Sequence, residues 1–236
     1  MNPIQLIPLQ GVPEVTPGLV LAAAFAAAAA GQGTPLQNGD CLVVTQKVVS
    51  KAEGRLVPLD PDDPDARRRL VESESVRVLR RRGDLIISET RHGFVCANAG
   101  VDVSNVEPGW AALLPVDGDR SARRIREGVR AAAGLEVAVV ISDTFGRPWR
   151  HGLVDVAIGV AGLAAVVNLR GTADDRGRPL QVTEVAVADE IASAAELVMG
   201  KARRVPAAIV RGVDPAWLRD GSVAELVRSP AEDLFR

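Results

Sequence analysis

The alternation of β-branched runs with helical stretches predicts a layered chain of helices and sheet, and on pattern alone it leans toward a parallel α/β arrangement. Three observations carry this reading. Val137–Ile141 is an unbroken, mostly β-branched apolar run, read as a buried strand. Pro17–Ala30 and Val185–Gly200 read as helices, the second amphipathic, with Asp189, Glu190 and Glu196 largely outward. Cys41–Thr45 and Val205–Arg211 supply further short apolar strands.

A chain of 236 residues can bury a substantial core, and the sequence is read as a single domain over 1–236 with room for two subdomains. Tyr is absent and aromatics make up 3%, so that core must be Val, Leu, Ile and Ala. A net charge of −2 argues against a general nucleic-acid or membrane-surface protein. Cys41 and Cys96 are isolated, which suits small core thiols in a reducing compartment. No basic residue precedes Lys47, and the apolar Leu19–Ala30 stretch is too short to span a membrane. A soluble, cytoplasmic protein is expected.

Taken in order, Ile4–Val15 reads as an edge strand and loop, with two prolines, Pro8 and Pro13. Thr16 is the expected N-cap of the first helix, with Pro17 at its first position and Gly31 past its end. Asn38-Gly39-Asp40 turns the chain into Cys41–Thr45. If Thr45–Ser50 stays extended, Lys47 and Lys51 share a face among valines, as phosphate ligands or as guards of a sheet edge. Asp60–Arg82 reads as one helix, acidic at its start and closed by Arg80-Arg81-Arg82. Asp84–Glu89 and Phe94–Ala97 are strands flanking the polar loop Glu89–Gly93. Ala97–Asn105 cannot be regular helix; its Asp102, Ser104 and Asn105 are either oxygen ligands for a hard cation or an Asx-type turn. Ser121–Ala133 is a helix with Ser121 as its cap, and Asn168–Pro179 is a turn-rich excursion holding Asp174-Asp175.

The most informative stretch follows the central strand. Ser142-Asp143-Thr144 places a carboxylate and hydroxyls at the strand's end, where α/β sheets put their chemistry. Gly146, Arg147, Pro148, Trp149, Arg150, His151 and Gly152 then crowd one expected loop, before the run Val154–Gly162 with its single carboxylate, Asp155. GxxxxGK[ST], HExxH and GxSxG are absent, and no GxGxxG follows a strand. What remains is Asp102 and Asp143 with Thr144, Lys47, Lys51, Asn105, Arg147 and Arg150. Carboxylates with hydroxyls suit Mg²⁺ or Mn²⁺, and the cations suit phosphate, which together suggest metal-assisted phosphoryl transfer from a nucleotide.

Four segments in this order, VVTQKVVSKAEG, ETRHGFVCANAGVDVSN, SDTFGRPWR with DVAIGVAG, and VTEVAVADEIASAAELVMGK, resemble the coenzyme F420-0:L-glutamate ligase family over Pro8–Gly212. The resemblance covers the archaeal enzyme and the N-terminal half of its actinobacterial fusion; no flavin-binding half follows here, so the stand-alone form is expected. It implies addition of one or more L-glutamates, γ-linked after the first, to the lactyl phosphate side chain of the deazaflavin precursor. It further implies GTP as co-substrate, Mg²⁺ or Mn²⁺ at two ions per site, K⁺ as a candidate additional cation, and an acyl phosphate intermediate. The implied fold is α+β, with mixed, largely antiparallel sheets and flanking helices in an intertwined homodimer.

Carried over by position, the implied metal ligands are Asp102, Asp143 and Thr144, with Glu184 a weaker candidate for a second metal. The implied GTP contacts are Val12, Pro13, Glu14, Val15, Gln46, Lys51 and Asn105; Gln46 stands where many relatives have Ser. Arg147 and Arg150 lie inside a matched segment and are suggested for phosphate or substrate carboxylate. His151 stands where relatives often carry Glu or Asn and receives no role, while Trp149 is read either as a stacking surface for the deazaflavin or as core. A metal-dependent phosphohydrolase and a non-catalytic nucleotide-binding dimer remain as other classes.

Overall fold

The computed structural model describes residues 3–235. In chain order, the first half holds β1 (Gln5–Pro8), α1 (Leu21–Gly31), β2 (Cys41–Thr45), α2 (Gln46–Ala52), β3 (Leu56–Pro58), α3 (Ala66–Ser73), β4 (Ser75–Arg82), β5 (Leu85–Thr90), β6 (Val95–Ala97) and β7 (Trp110–Ala112). The second holds α4 (Gly118–Ala133), β8 (Ala138–Arg147), β9 (Arg150–Ala161), β10 (Val167–Asn168), β11 (Glu184–Val185), α5 (Val187–Met199) and β12 (Ala207–Arg211).

The main sheet runs β1-β12-β2-β8-β9, and β3-β7, β4-β5-β6 and β10-β11 form smaller sheets. Only β2 and β8 pair in parallel; the other pairings are antiparallel. The mixed α+β class is therefore the observed one, and the parallel lean of the bare pattern is corrected. Strand alternation divides the core between the two faces of this sheet. Leu42, Val44, Val139, Ile141 and Ile158 pack on one face with Phe25 of α1 and Ile125 and Val129 of α4. Cys41, Val43, Ala138, Val140 and Ala157 pack on the other with Ile191, Ala192 and Ala195 of α5. Burial pushes both thiols up to about 12, as unreactive core cysteines should be.

Several sequence-based boundaries move, each for a physical reason. The first helix starts at Leu21 rather than Pro17, because Gly18 is left-handed (φ +86°) and its N–H goes to the Ala52 carbonyl. The predicted helix Asp60–Arg82 is only Ala66–Ser73; the Val-rich Ser75–Arg82 pairs with β5 instead, so the three arginines lie on a strand. Thr45–Ser50 does not stay extended: α2 takes over at Gln46, and Lys47 and Lys51 share a face through helical i,i+4 spacing. The cap of α4 is Asp117, which accepts from the Arg120 N–H, while Ser121 lies inside the helix and donates to Glu53.

The Gly146–Gly152 stretch is not a loop. β8 and β9 continue through it as one long hairpin, paired as far as Arg147 and Arg150. A bulge interrupts this hairpin: Ile141 opposes Gly159 but Ser142 opposes Ala157, leaving Ile158 extra. The outer N–H groups of this edge strand are covered by helices, since Asp119 of α4 accepts from Val160 N–H and Asp189 of α5 from Ala157 N–H, both at 2.8 Å. At the bulge α4 comes against bare backbone. A Cβ on Gly118 would lie 2.0 Å from the Ile158 carbonyl oxygen, and one on Gly159 would lie 2.3 Å from the Gly118 carbonyl carbon.

Candidate active site

The candidate site forms where the parallel pair β2 and β8 ends. Alternation beyond Ile141 sends Asp143 to the α1/α4 face and Ser142 and Thr144 to the α5 face. The loop after β6 meets the first side. It is bent by left-handed Asn98, Ala99, Gly100 and Asn105, and it is pinned where Asp102 exchanges two backbone hydrogen bonds with Ala112, at 3.0 and 2.8 Å. Its Asp102 carboxylate accepts Lys47 Nζ of α2 at 2.8 Å and the Ser104 N–H at 2.7 Å. Burial works to raise the Asp102 carboxyl, but Lys47 and Ser104 overcome it and hold the group below its ordinary range.

Asp143 is in the reverse condition. Burial pushes it up to about 7, and the negative charges of Asp102 and Asp155 add to that; the Thr144 N–H and the Lys201 charge only partly oppose them. Asp102 and Asp143 are thus near enough to repel, and no hydrogen-bonded cation sits on Asp143. Such a carboxyl is prepared for a cation from solution. Among the described residues, no three His, Cys, Asp or Glu side chains converge to hold a metal by themselves. Two carboxylates completed by substrate phosphates and water suit Mg²⁺ or Mn²⁺, which bind that way, so the residues present fit the implied metal.

On the α5 face, Asp155 is 1% exposed and opposes Thr144 across the hairpin. It accepts from Ser142 Oγ at 3.1 Å, Thr144 Oγ1 at 2.7 Å and Lys201 Nζ at 2.8 Å. Lys201 follows Gly200, the left-handed cap of α5, and also reaches Thr144 Oγ1 and Glu196 (3.2 Å). Asn105 Nδ2 donates to the Lys201 carbonyl at 3.5 Å, joining the Asp102 loop to this segment. The sequence reading missed Lys201, and it noted Asp155 without a role. The available signal was Gly-Lys directly after an amphipathic helix.

Of the residues suggested for GTP, Lys51 and Glu14 meet in an ion pair at 2.6 Å, which places α2 against the Val12–Val15 segment. Val12 and Pro13 run alongside, and Val15 is core. Gln46 is 3% exposed and its amide is used inside, on Ser50 Oγ at 3.2 Å and the Leu113 carbonyl at 3.0 Å. A hollow of about 380 Å³ adjoins this segment, lined by Gln10, Gly11, Arg203 and Arg204 among others. Arg147 donates to the His151 carbonyl at the hairpin end, and Arg150 pairs with it in register. Four residues of extended chain put Arg147 roughly 13 Å from Asp143 along the strand, so one chain does not bring the two together. Glu184 is engaged by Arg170 at 2.8 Å.

The chain matches the family described as F420-0:Gamma-glutamyl ligase over residues 11–212. It is 47% identical to the coenzyme F420:L-glutamate ligase of Methanothermobacter thermautotrophicus, with 99% of each chain covered. It is 44% identical to that of Methanopyrus kandleri, covering 99% of this chain and 97% of the relative. Against that of Methanocaldococcus jannaschii the identity is 38%, over 86% of each. Asp102, Asp143, Thr144 and the Lys51–Glu14 pair all fall inside the matched span, and the chain belongs to the F420-0:gamma-glutamyl ligase family.

Proposed function

We propose that this chain is an amide ligase that adds L-glutamate to coenzyme F420-0 in coenzyme F420 biosynthesis, driven by GTP and a divalent metal ion. The acceptor carboxylate attacks the γ-phosphorus of GTP and GDP leaves, giving an acyl phosphate. The amine of glutamate then attacks the acyl carbon, inorganic phosphate leaves with the C–O electron pair, and the nitrogen loses a proton to complete the amide. Further glutamates join through their γ-carboxylates by the same two steps.

Asp102 and Asp143 would hold Mg²⁺ or Mn²⁺, which supplies Lewis-acid neutralisation of phosphate and carboxylate charge, while the Thr144 hydroxyl, on the other face of β8, is engaged by Asp155 and Lys201. Lys51, pivoting from exposed Glu14, reaches toward phosphate, and the Val12–Val15 segment with the Arg203–Arg204 hollow borders the nucleotide. Lys47 keeps Asp102 ionised in the presence of its acidic neighbour. The observation that carries the reading is Asp143, a carboxyl within β8 that has no ion-pair partner among the described residues and feels the Asp102 charge inside the matched span.

Mass spectrometry of the deazaflavin precursor incubated with GTP, L-glutamate and Mn²⁺ tests it. A gain of one or more glutamyl units only when GTP is present is the expected result. GTP turnover that needs no glutamate and yields no heavier deazaflavin would replace the ligase with a phosphohydrolase.

The same reading includes a homodimer joined through the β8–β9 hairpin. Trp149 and Leu153 near its tip are 80% and 67% exposed, and the Trp149 ring meets the exposed Phe235 at a centroid distance of 6.4 Å. A partner covering this tip would also bring Arg147 and Arg150 under the other chain's influence. Light scattering should give twice the 24.8 kDa chain mass, falling toward one chain mass in Trp149→Glu/Leu153→Glu; a wild-type monomer at micromolar concentration would exclude the dimer.

A further inference from the structure

Three carboxylates meet around the middle of β8, with Asp143 on that strand, Asp155 on β9 and Asp102 on the loop after β6, and their charges are balanced unequally. Asp102 has Lys47, Asp155 has Lys201, and Asp143 has no bonded cation among the described residues. The Lys201 ammonium is held as a small cation would be, by oxygens from three residues: Asp155 Oδ1 at 2.8 Å, Glu196 Oε1 at 3.2 Å and Thr144 Oγ1. The Thr144 hydroxyl in turn gives its proton to Asp155. Ser142 Oγ occupies the other Asp155 oxygen, and Ser193 Oγ fixes the Asp155 backbone at 2.7 Å. The lysine is placed as firmly as its partners, since Gly200 closes α5 and Asn105 holds the Lys201 carbonyl.

Resting on the ligase reading above, we infer that Lys201 is a built-in cation on the Asp155–Thr144 side, so that this chain takes one divalent ion per site, at Asp102 and Asp143, rather than two. A second divalent ion drawn to Asp155 or Thr144 would have to displace an ammonium already bonded to both. If the ammonium stayed, the two cations would share the same oxygens and repel one another. The ammonium also neutralises Asp155 without adding an exchangeable ion, which makes Lys201 a positioning residue: it fixes the carboxylate and hydroxyl that flank Asp143.

Mn²⁺ titration followed by electron paramagnetic resonance tests this, using metal-free full-length protein saturated with a non-hydrolysable GTP analogue. Wild type should bind one Mn²⁺ per chain with an uncoupled six-line spectrum. Lys201→Gln, which keeps a polar side chain and removes the charge, should bind two, with the broadening of a coupled pair. Lys201→Arg should stay at one. Lys201→Gln leaves the buried Asp155 without its ammonium, so thermal melts establish that each variant is folded at the titration temperature, and Lys201→Arg keeps the charge. Two coupled ions in wild type, one ion in Lys201→Gln, or two in Lys201→Arg would each overturn the inference while leaving the ligase reading intact. No bound Mn²⁺ in wild type would overturn the metal-dependent reading itself, and this inference with it.

Discussion

Asp143→Asn should abolish glutamyl transfer, by about 10³-fold or more, while making the metal-free protein more stable at alkaline pH. Both effects come from one carboxyl. In the folded chain Asp143 is pushed from an ordinary 3.8 to about 7 by burial and by its acidic neighbours. The folded state therefore holds this proton more tightly than the unfolded state between those two values. Stability falls as pH rises across that window, and the loss is complete above it. The full difference corresponds to roughly 4 kcal/mol; because Asp143 is only half-buried, about 2 kcal/mol is the expected cost at pH 8.5. Asparagine carries no charge and escapes it. Thermal melts in EDTA should place Asp143→Asn roughly 5 °C above wild type at pH 8.5 and level with it at pH 4. Mn²⁺ should reverse the order at pH 8.5, since it stabilises whichever protein binds it. A variant that melts below wild type in EDTA at pH 8.5 would contradict this account of the site.

Gly159→Ala should be among the most damaging single methyls in the described chain. The new Cβ would lie 2.3 Å from the Gly118 carbonyl carbon and 2.4 Å from its oxygen, both backbone atoms that no rotamer change can move aside. Either α4 lifts from β9, giving up the Asp119 bond to the Val160 N–H, or the bulge rearranges. A loss of about 4 kcal/mol or more is expected, as for overpacking against fixed backbone. Urea unfolding should show the midpoint collapse with little change in slope, and Gly118→Ala should behave alike. Glutamyl transfer should fall as well, because Thr144 and Asp155 are placed by the pairing just beyond the bulge. A shift within 1 kcal/mol would mean that the helix start yields freely.

The parts of this architecture that depend on local pattern were legible in the residues. Cys41–Thr45, the Asn38–Asp40 turn and the helix closed by Gly200 stand where composition and capping put them, and the strand begun at Val137–Ile141 is present but runs on through Ser142-Asp143-Thr144 to Arg147 rather than ending there. Asp102 and Asp143 were chosen by chemistry, and folding brings them within reach of each other's charge. The rest was hidden for identifiable reasons. The i,i+4 spacing of Lys47 and Lys51 fits one face of a helix as well as one face of a strand, so it could not distinguish them. The arginines of Ser75–Arg82 mask an alternation that matters only once β5 supplies a partner. Glycines at both ends of Gly146–Gly152 looked like loop punctuation, whereas hairpin pairing crosses most of that stretch. Lys201 lies 46 residues from Asp155 in the chain, and nothing local announces that the two will meet.

The bulge at Ile158 decides on which face of the sheet the Asp155 carboxylate sits. Had β9 paired regularly below Gly159, Asp155 would oppose Phe145 and lie on the same face as Asp143. Asp102, Asp143 and Asp155 would then crowd one compartment, with Lys201 left behind the strand. One unpaired residue instead makes the backbone of β8 a partition. Asp102 and Asp143 stand on one side of it, and Asp155 with its Lys201 ammonium on the other. The partition separates contacts and not fields: Asp155 raises and Lys201 lowers the Asp143 carboxyl through the strand, so a substitution around α5 is felt at Asp143 without touching it.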